Sequence, residues 1–384
     1  MLATSLFAGC GGRTHQASPA PPPSVESSVA SAVRLCDPGE RGSIDRTRVC
    51  LERRLLAIVT AGGPTTSGVP RIDTAVRIAG GFVAENCHIL MHWVGRNYAV
   101  DHHVTLGTLQ RFLPRTNDPG CSAGFAHGLV SALAPAVRRL DPASTARVCA
   151  RSPTRYQAYS CVHGLGHAYM RAYNETVPIA LHQCARLPHA DVVDCAQGVF
   201  HDYWFSVSGA DGMLPAARPL TPRALCGRQA RAFVRACWYR SFLESPPERS
   251  IAGAGELGSL CTGLVALQRD ACITGASAWF DSGDPYGQLD GCSQLPGADA
   301  VACARGVATQ DLLRSPLAAK VRLIRRCDRF GNRRAPCLEW IAKALNVVAD
   351  GRFLRLGCRA LPTIDRAPCH AGAASWRGPL ETFS

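Results

Sequence analysis

Cysteine usage constrains this chain more than any other feature: of its 19 cysteines, all but Cys10 fall into pairs. Seven consecutive pairs share nearly one spacing, the two members lying 10 to 12 residues apart: Cys149 and Cys161, Cys184 and Cys195, Cys226 and Cys237, Cys261 and Cys272, Cys292 and Cys303, Cys327 and Cys337, and Cys358 and Cys369. The second cysteine usually opens C-x-x-G, with glycine at Gly124, Gly164, Gly198, Gly275, Gly306 and Gly372, and units recur every 31 to 42 residues. A fixed period of this length is an internal repeat.

A unit such as 181–205 reads as the end of one helix, a turn containing Pro188, and a second helix starting near Val192. Leu187-Pro188, Leu295-Pro296 and Leu361-Pro362 place proline just past the first cysteine, where it stops a helix. Across such a turn two cysteines can bring their Cα atoms to the ~5.5 Å that a disulfide needs. Each staple then holds a helical hairpin, and stacked hairpins give the expected fold: all-α, an α-solenoid. Cys36 with Cys50 and Cys87 with Cys121 remain as the last two pairs, the latter spanning two helices rather than one turn. A metal–thiolate protein is disfavoured, because the C-x-x-C spacing is absent and an even set of regular pairs suits disulfides.

Nine disulfides require an oxidising, extracytoplasmic space. The N-terminus agrees, since Leu6-Phe7-Ala8-Gly9-Cys10 resembles a bacterial lipobox. Residues 1–9 are then a signal peptide, truncated because it lacks a basic start and a full apolar stretch. Residues 10–33 are a Pro/Ser/Ala-rich tether behind a lipidated Cys10, and the expected location is the cell envelope, lipid-anchored to the membrane, with simple secretion as the alternative. The net charge of +13 is nearly all arginine, Lys320 and Lys343 being the only lysines, and it is scattered. No basic cluster with interleaved aromatics occurs, so no nucleic-acid partner is expected.

Ten of the 12 histidines lie between His88 and His201. His127, His167 and His201 each follow a ladder cysteine by six residues, so they occupy one position on three successive second helices. His88/His92 and His163/His167 are spaced i, i+4 and project from one helix face. The pattern is a three-histidine half-site written twice: His88, His92 and His127, then His163, His167 and His201. Three imidazoles suit copper, zinc or iron and leave a coordination position open. Neither pair is a zincin motif, which needs a glutamate between its histidines. Asp202 and Glu85 are candidates for orienting an imidazole, and Tyr169, Tyr173, Tyr203 and Trp204 form an aromatic strip. His102 and His103 read as helix-end caps, and His15, His182, His189 and His370 as core or surface residues.

In ligand logic, over these six residues and not the fold, the two half-sites resemble the type 3 dicopper centres of haemocyanin and tyrosinase. The segments Cys87–Arg96, Gly124–Gly128 and Cys161–Met170, reading CHILMHWVGR, GFAHG and CVHGLGHAYM, also resemble a group of bacterial envelope proteins with C-H-x-x-x-H-x-x-G-R, G-x-x-H-G and C-x-H-G-x-G-H motifs. That resemblance spans roughly Cys87 to Gly198. It implies that His88, His92, His127, His163 and His167 belong together, leaves His201 outside, and carries no activity with it. The plan is similar to cysteine-rich Sel1-like repeat proteins, whose cysteine spacing differs.

The expected organisation is therefore a histidine-rich array over 34–205 and a scaffold over 206–384, where the ladder position becomes Leu243, Ala278 and Thr309. The expected function is an envelope metalloprotein with a mono- or dinuclear site and metal-dependent oxidoreductase or hydrolase activity. The alternative is a non-enzymatic repeat scaffold that binds a protein or glycan partner.

Overall fold

The computed structural model describes residues 23–36, 44–116, 120–208, 220–244, 251–280, 285–310, 323–348 and 357–374. Cys10, His15, the signal segment and the tether as far as residue 22 lie outside these residues.

Among the described residues the fold is all-α, with one isolated bridge between Ile251 and Phe280. Three helices open it: α1 (Val25–Cys36), α2 (Ile44–Ala61) and α3 (Thr65–Ala79). Val25, Val29, Ala32 and Cys36 are the buried residues of α1, and their spacing makes one apolar stripe. That stripe turns part of the expected 10–33 tether into packed helix. Next come α4 (Gly81–Asp101), α5 (Cys121–Ser131), α6 (Ala134–Val137), α7 (Pro142–Cys149), α8 (Arg155–Ala172), α9 (Val177–Cys184) and α10 (His189–Ser208). The array continues through α11 (Pro222–Cys226), α12 (Arg231–Glu244), α13 (Ala254–Leu260), α14 (Ala266–Ala276), α15 (Pro285–Ser293) and α16 (Gly297–Gln310). A 3-10 segment (Ile324–Arg333) leads to α17 (Arg334–Val348), and α18 (Thr363–Ala374) closes the described chain.

The hairpins are lopsided. First members such as α7, α9 and α11 have 8, 8 and 5 residues, whereas α8, α10 and α12 have 18, 20 and 14. The long members pack on one another in succession, α4 on α5, then α8, α10, α12, α14, α16, α17 and α18, and form the spine.

All nine expected disulfides are present, with Cα separations from 5.0 to 5.9 Å. Cys36 bonds to Cys50 between α1 and α2, and Cys87 bonds to Cys121, joining α4 directly to α5. Along the ladder Cys149 bonds to Cys161, Cys184 to Cys195, Cys226 to Cys237 and Cys261 to Cys272. Cys292 bonds to Cys303, Cys327 to Cys337 and Cys358 to Cys369. The second cysteines Cys237, Cys272, Cys303 and Cys337 are fully buried on the spine helices α12, α14, α16 and α17, so each staple ties a short arm to the spine. One arm departs from the expected helical hairpin. Cys327 lies in the 3-10 segment, where Gly331, with φ of 53°, turns the chain before α17 carries Cys337.

Helix starts have local causes. The Asp141, Thr154 and Thr221 side chains accept the backbone N–H of Ser144, Gln157 and Ala224 and cap α7, α8 and α11. The ladder prolines act as starters rather than stops: the carbonyls of Pro188, Pro296 and Pro362 accept the N–H of Asp191, Asp299 and Asp365, so α10 begins at His189 and not near Val192. Each P-x-x-D places a carboxylate in the first turn, where the helix dipole favours it. Two of these aspartates also tie units together. Arg269 Nη2 meets Asp299 Oδ2 at 2.7 Å, and Arg334 pairs with Asp365.

Candidate metal centre

Glycine sets how closely the cluster-bearing helices approach. A Cβ at Gly124 would collide with the His88 carbonyl oxygen, and one at Gly128 with that of His92. On the other pair, Gly198 lies against the His163 carbonyl and Gly166 against that of Cys195. Backbone therefore meets backbone beside the histidines themselves, in α4 against α5 and in α8 against α10. Side chains that would otherwise be held apart by helices 8–10 Å between axes come within ring contact.

All six ladder histidines join one cluster. The closest rings are His127 and His163, with centroids 4.6 Å apart, and His92 and His167, at 4.8 Å. His201 lies 5.2 Å from His163 and 5.0 Å from His167. The two i, i+4 pairs thus face each other, far inside the roughly 12 Å beyond which two three-histidine sets could not share a centre.

Two subsets have metal-like spacing, with ligand atoms all within 4.8 Å of one another: His88, His92 and His127, and His127, His163 and His167. The first is an expected half-site. The second differs from the expected trio, because His127 replaces His201. The reason is the order of packing: α5 lies between α4 and α8, so His127 serves both sides, while the His201 ring approaches those of His88, His92, His163 and His167 and places its Nδ1 against His163 Nε2.

Hydrogen-bond direction supports this grouping. His88 Nδ1 lies 3.2 Å from the Gly120 carbonyl, which can only accept, so the neutral ring turns the lone pair of Nε2 toward His92 Nε2 at 3.1 Å. His127 Nδ1 lies 3.2 Å from the same His92 Nε2, while its Nε2 meets the Ser160 hydroxyl at 3.0 Å. His92 has at most one proton on Nε2 to share between two neighbours, whereas a cation would serve all three nitrogens. His163 Nε2 is 3.0 Å from His201 Nδ1, and the buried His163 Nδ1 has no hydrogen-bond partner among the described residues.

The electrostatics keep imidazoles in the form that metals bind. His92, His127, His163 and His201 are all held well below the ordinary histidine pKa. Burial is the largest cause at each; neighbouring rings come next at His92 and His127, with Arg171 and Arg240 after them, whereas at His163 and His201 Arg240 comes next and the rings follow. His88 and His92 are half-buried and the other four are buried, so the cluster faces solvent on its α4 side.

Other residues sort clearly. Asp202, only 3% exposed, accepts from His167 Nδ1 at 2.7 Å, whereas Glu85 is exposed. Tyr169 and Trp204 belong to the core, Trp204 donating to the Ser241 hydroxyl at 3.2 Å. Exposed His102 takes no part in the cluster: it stacks on Tyr98 at the end of α4, and His103, His182 and His189 are exposed too, with His370 half-buried. Gln197, where a partner histidine for His201 would stand, accepts from the Tyr159 hydroxyl at 3.4 Å.

Two contributors come from beyond residue 205. Glu244 Oε1 lies 3.4 Å from His201 Nε2 and 2.8 Å from Arg240 Nη1. Burial raises the Glu244 pKa and Arg240 opposes it. A signal for Arg240 existed in the sequence, since it stands three residues after Cys237, at the glycine position of its unit.

No protein-family model, curated protein or solved structure matches this chain. Its chemistry rests on the geometry above.

Proposed function

We propose that this protein is an extracytoplasmic metalloprotein of the cell envelope that holds one or two transition-metal ions in the six-histidine cluster and uses them in oxidative or hydrolytic chemistry. The observation that carries the reading is the convergence of His88 Nε2, His92 Nε2 and His127 Nδ1, at 3.1 and 3.2 Å along the two measured edges. Nitrogens arranged tetrahedrally at ~2.0–2.1 Å from an ion lie roughly 3.3–3.4 Å apart. The three ring atoms already stand near ligand spacing.

In this reading His88, His92 and His127 hold the first ion. A second ion would use His163 and His167 with His201, because the Nδ1 of His127 is committed to the first. Copper, zinc and iron all suit such a donor set. A bound ion would supply Lewis acidity or electron transfer at its open position. The chain's own residues do the rest: Asp202 orients His167, Ser160 and Gly120 orient His127 and His88, and Phe205, whose ring is 4.1 Å from that of His201, screens the cluster from water.

Nine disulfides support an oxidising compartment, and no described helix is long and apolar enough to cross a membrane. A lipid on Cys10 would provide the attachment, and Cys10→Ser should release the protein into the soluble envelope fraction.

The deciding experiment is elemental analysis of protein purified without a polyhistidine tag, with and without added metal salts. One or two equivalents of a single transition metal are expected, and His92→Ala should lose most of the metal. A wild-type protein that stays metal-free in excess copper, zinc and iron would end this reading and leave the scaffold alternative.

A further inference from the structure

The two histidine subsets with metal-like spacing differ in exposure. His88 and His92 are half-buried, whereas His127, His163 and His167 are buried, the last two completely. An ion arriving from solvent therefore meets the α4 pair first. His127 belongs to both subsets: its ring lies 5.1 Å from those of His88 and His92, and 4.6 Å from that of His163.

The subsets also differ in charge. The Gly120 carbonyl orients His88, a neutral contact, whereas the buried Asp202 carboxylate orients His167. A carboxylate behind a ligating imidazole changes metal affinity by about 10–100-fold, and a cation taken out of water needs a countercharge of this kind. The Arg240 charge, which acts on His163, is paired with Glu244 at 2.8 Å. His163 Nδ1 is buried with no hydrogen-bond partner among the described residues, so a donor nitrogen on the inner side is already stripped of water. The outer subset is thus the accessible one and the inner subset the tighter one.

We propose that the cluster takes up a single transition-metal ion in two steps, capture by His88 and His92 with His127, then passage through His127 to His163 and His167, where the ion is held. The proposal rests on the metal reading above and adds to it the order of occupancy and a stoichiometry of one. In the passage the bonds from the ion to His88 and His92 break as bonds to His163 and His167 form. His127 stays bound, so the ion never lacks a protein ligand, and no electron moves. The Ser160 hydroxyl, 3.0 Å from His127 Nε2, both donates and accepts, and so satisfies either tautomer of that ring while the ligands change. A shared ligand also makes the subsets exclusive: with His127 turned to the inner pair, the outer subset keeps only two imidazoles.

The test is stopped-flow absorption of cobalt(II) chloride binding to the metal-free full chain, since the visible spectrum of cobalt changes with its ligands. One equivalent should bind in two phases, the first with a rate proportional to cobalt concentration and the second independent of it. His88 belongs only to the outer subset and His163 only to the inner, while the His92 ring also approaches that of His167, at 4.8 Å. H88A and H163A therefore separate the steps. H88A should slow uptake at least tenfold and leave the equilibrium affinity within threefold. H163A should keep the fast phase, lose the second and bind at least tenfold more weakly, at a melting temperature that shows it folded. The wild-type phases need no variant, so the proposal stays open to refutation even if H163A fails to fold. A single concentration-dependent phase, two equivalents held together, or wild-type uptake rates in H88A would each overturn the two-step capture and leave the metal reading standing. A wild type that binds none of cobalt, zinc, copper and iron ends both.

Discussion

His167 Nδ1 donates to Asp202 Oδ1 at 2.7 Å, a contact between two buried side chains on successive spine helices, 35 residues apart in sequence. It leaves Nε2 as the ring atom available for a metal and makes that atom more basic. Carboxylate–histidine pairs of this kind typically control metal affinity by 10–100-fold. Asp202→Asn keeps the shape and an acceptor oxygen but removes the charge, so it should weaken metal binding by about tenfold, and Asp202→Ala by about 100-fold. Competition titration against a chelating dye measures both. Identical affinities for wild type and both variants would remove Asp202 and His167 from the site.

The depressed pKa values make a pH prediction with a definite sign. His92, His127, His163 and His201 titrate well below an unfolded histidine. Their neutral forms are therefore favoured by the fold, and the associated stability is complete above the unfolded pKa of ~6.5 and is lost as pH falls. Each histidine that stays neutral in the fold while its unfolded counterpart protonates should cost about 1.4 kcal/mol per pH unit. Urea unfolding of metal-free protein at pH 7.5 and 5.5 checks this: the midpoint should fall at the lower pH. A midpoint that holds or rises would mean the four rings are not buried as a neutral group.

Close helix approach is a separate requirement. Gly198 stands where any Cβ would overlap the His163 carbonyl oxygen, and the blocking atom is backbone. Gly198→Ala must push α10 away from α8 or fail. Overpacking of this kind costs about 1–3 kcal/mol, and separating the helices moves His201 on α10 away from His163 and His167 on α8. Chemical denaturation together with metal content tests the coupling. Gly227→Ala, outside the cluster on the α11 turn, is the control expected to leave metal content unchanged.

Much of this architecture is legible in the sequence because disulfide closure is a matter of spacing. Cys184 and Cys195 are 11 residues apart, a length that spans one turn between antiparallel helices, and the pairs ending at Cys237, Cys272 and Cys303 have the same separation. The pair ending at Cys337 is one residue shorter, and its first arm is the 3-10 segment, a local conformation that cysteine spacing does not specify. The convergence of His127, His167 and His201 is legible for a similar reason, as equal ladder positions on stacked units fall on one side of the spine. What spacing does not carry is rotation about each helix. His127 and His201 share a ladder position, yet α5 lies between two histidine-bearing helices and α10 at the end of the row, so only His127 belongs to both subsets. Glu244 was hidden for the same reason, since it sits one residue past the ladder position, on a helix without histidine. Helix α1 was obscured by composition: serine and alanine read as linker until the stripe of Val25, Val29, Ala32 and Cys36 is noticed.

The staples themselves should matter locally. Cys184–Cys195 closes an 11-residue separation between α9 and α10, and α10 carries both His201 and Asp202. By chain entropy such a loop contributes roughly 2–3 kcal/mol. Replacing both cysteines with alanine should lower the unfolding free energy by about that amount and loosen the end of the cluster, so that metal binding weakens more than in the double alanine variant of the distant Cys358–Cys369 pair. Non-reducing peptide mapping must first find Cys184 linked to Cys195. A bond from Cys184 to any other unit would break the hairpin rule on which the whole array is built, and equal effects of the two double variants on metal binding would show that the staple beside the site does nothing to position it.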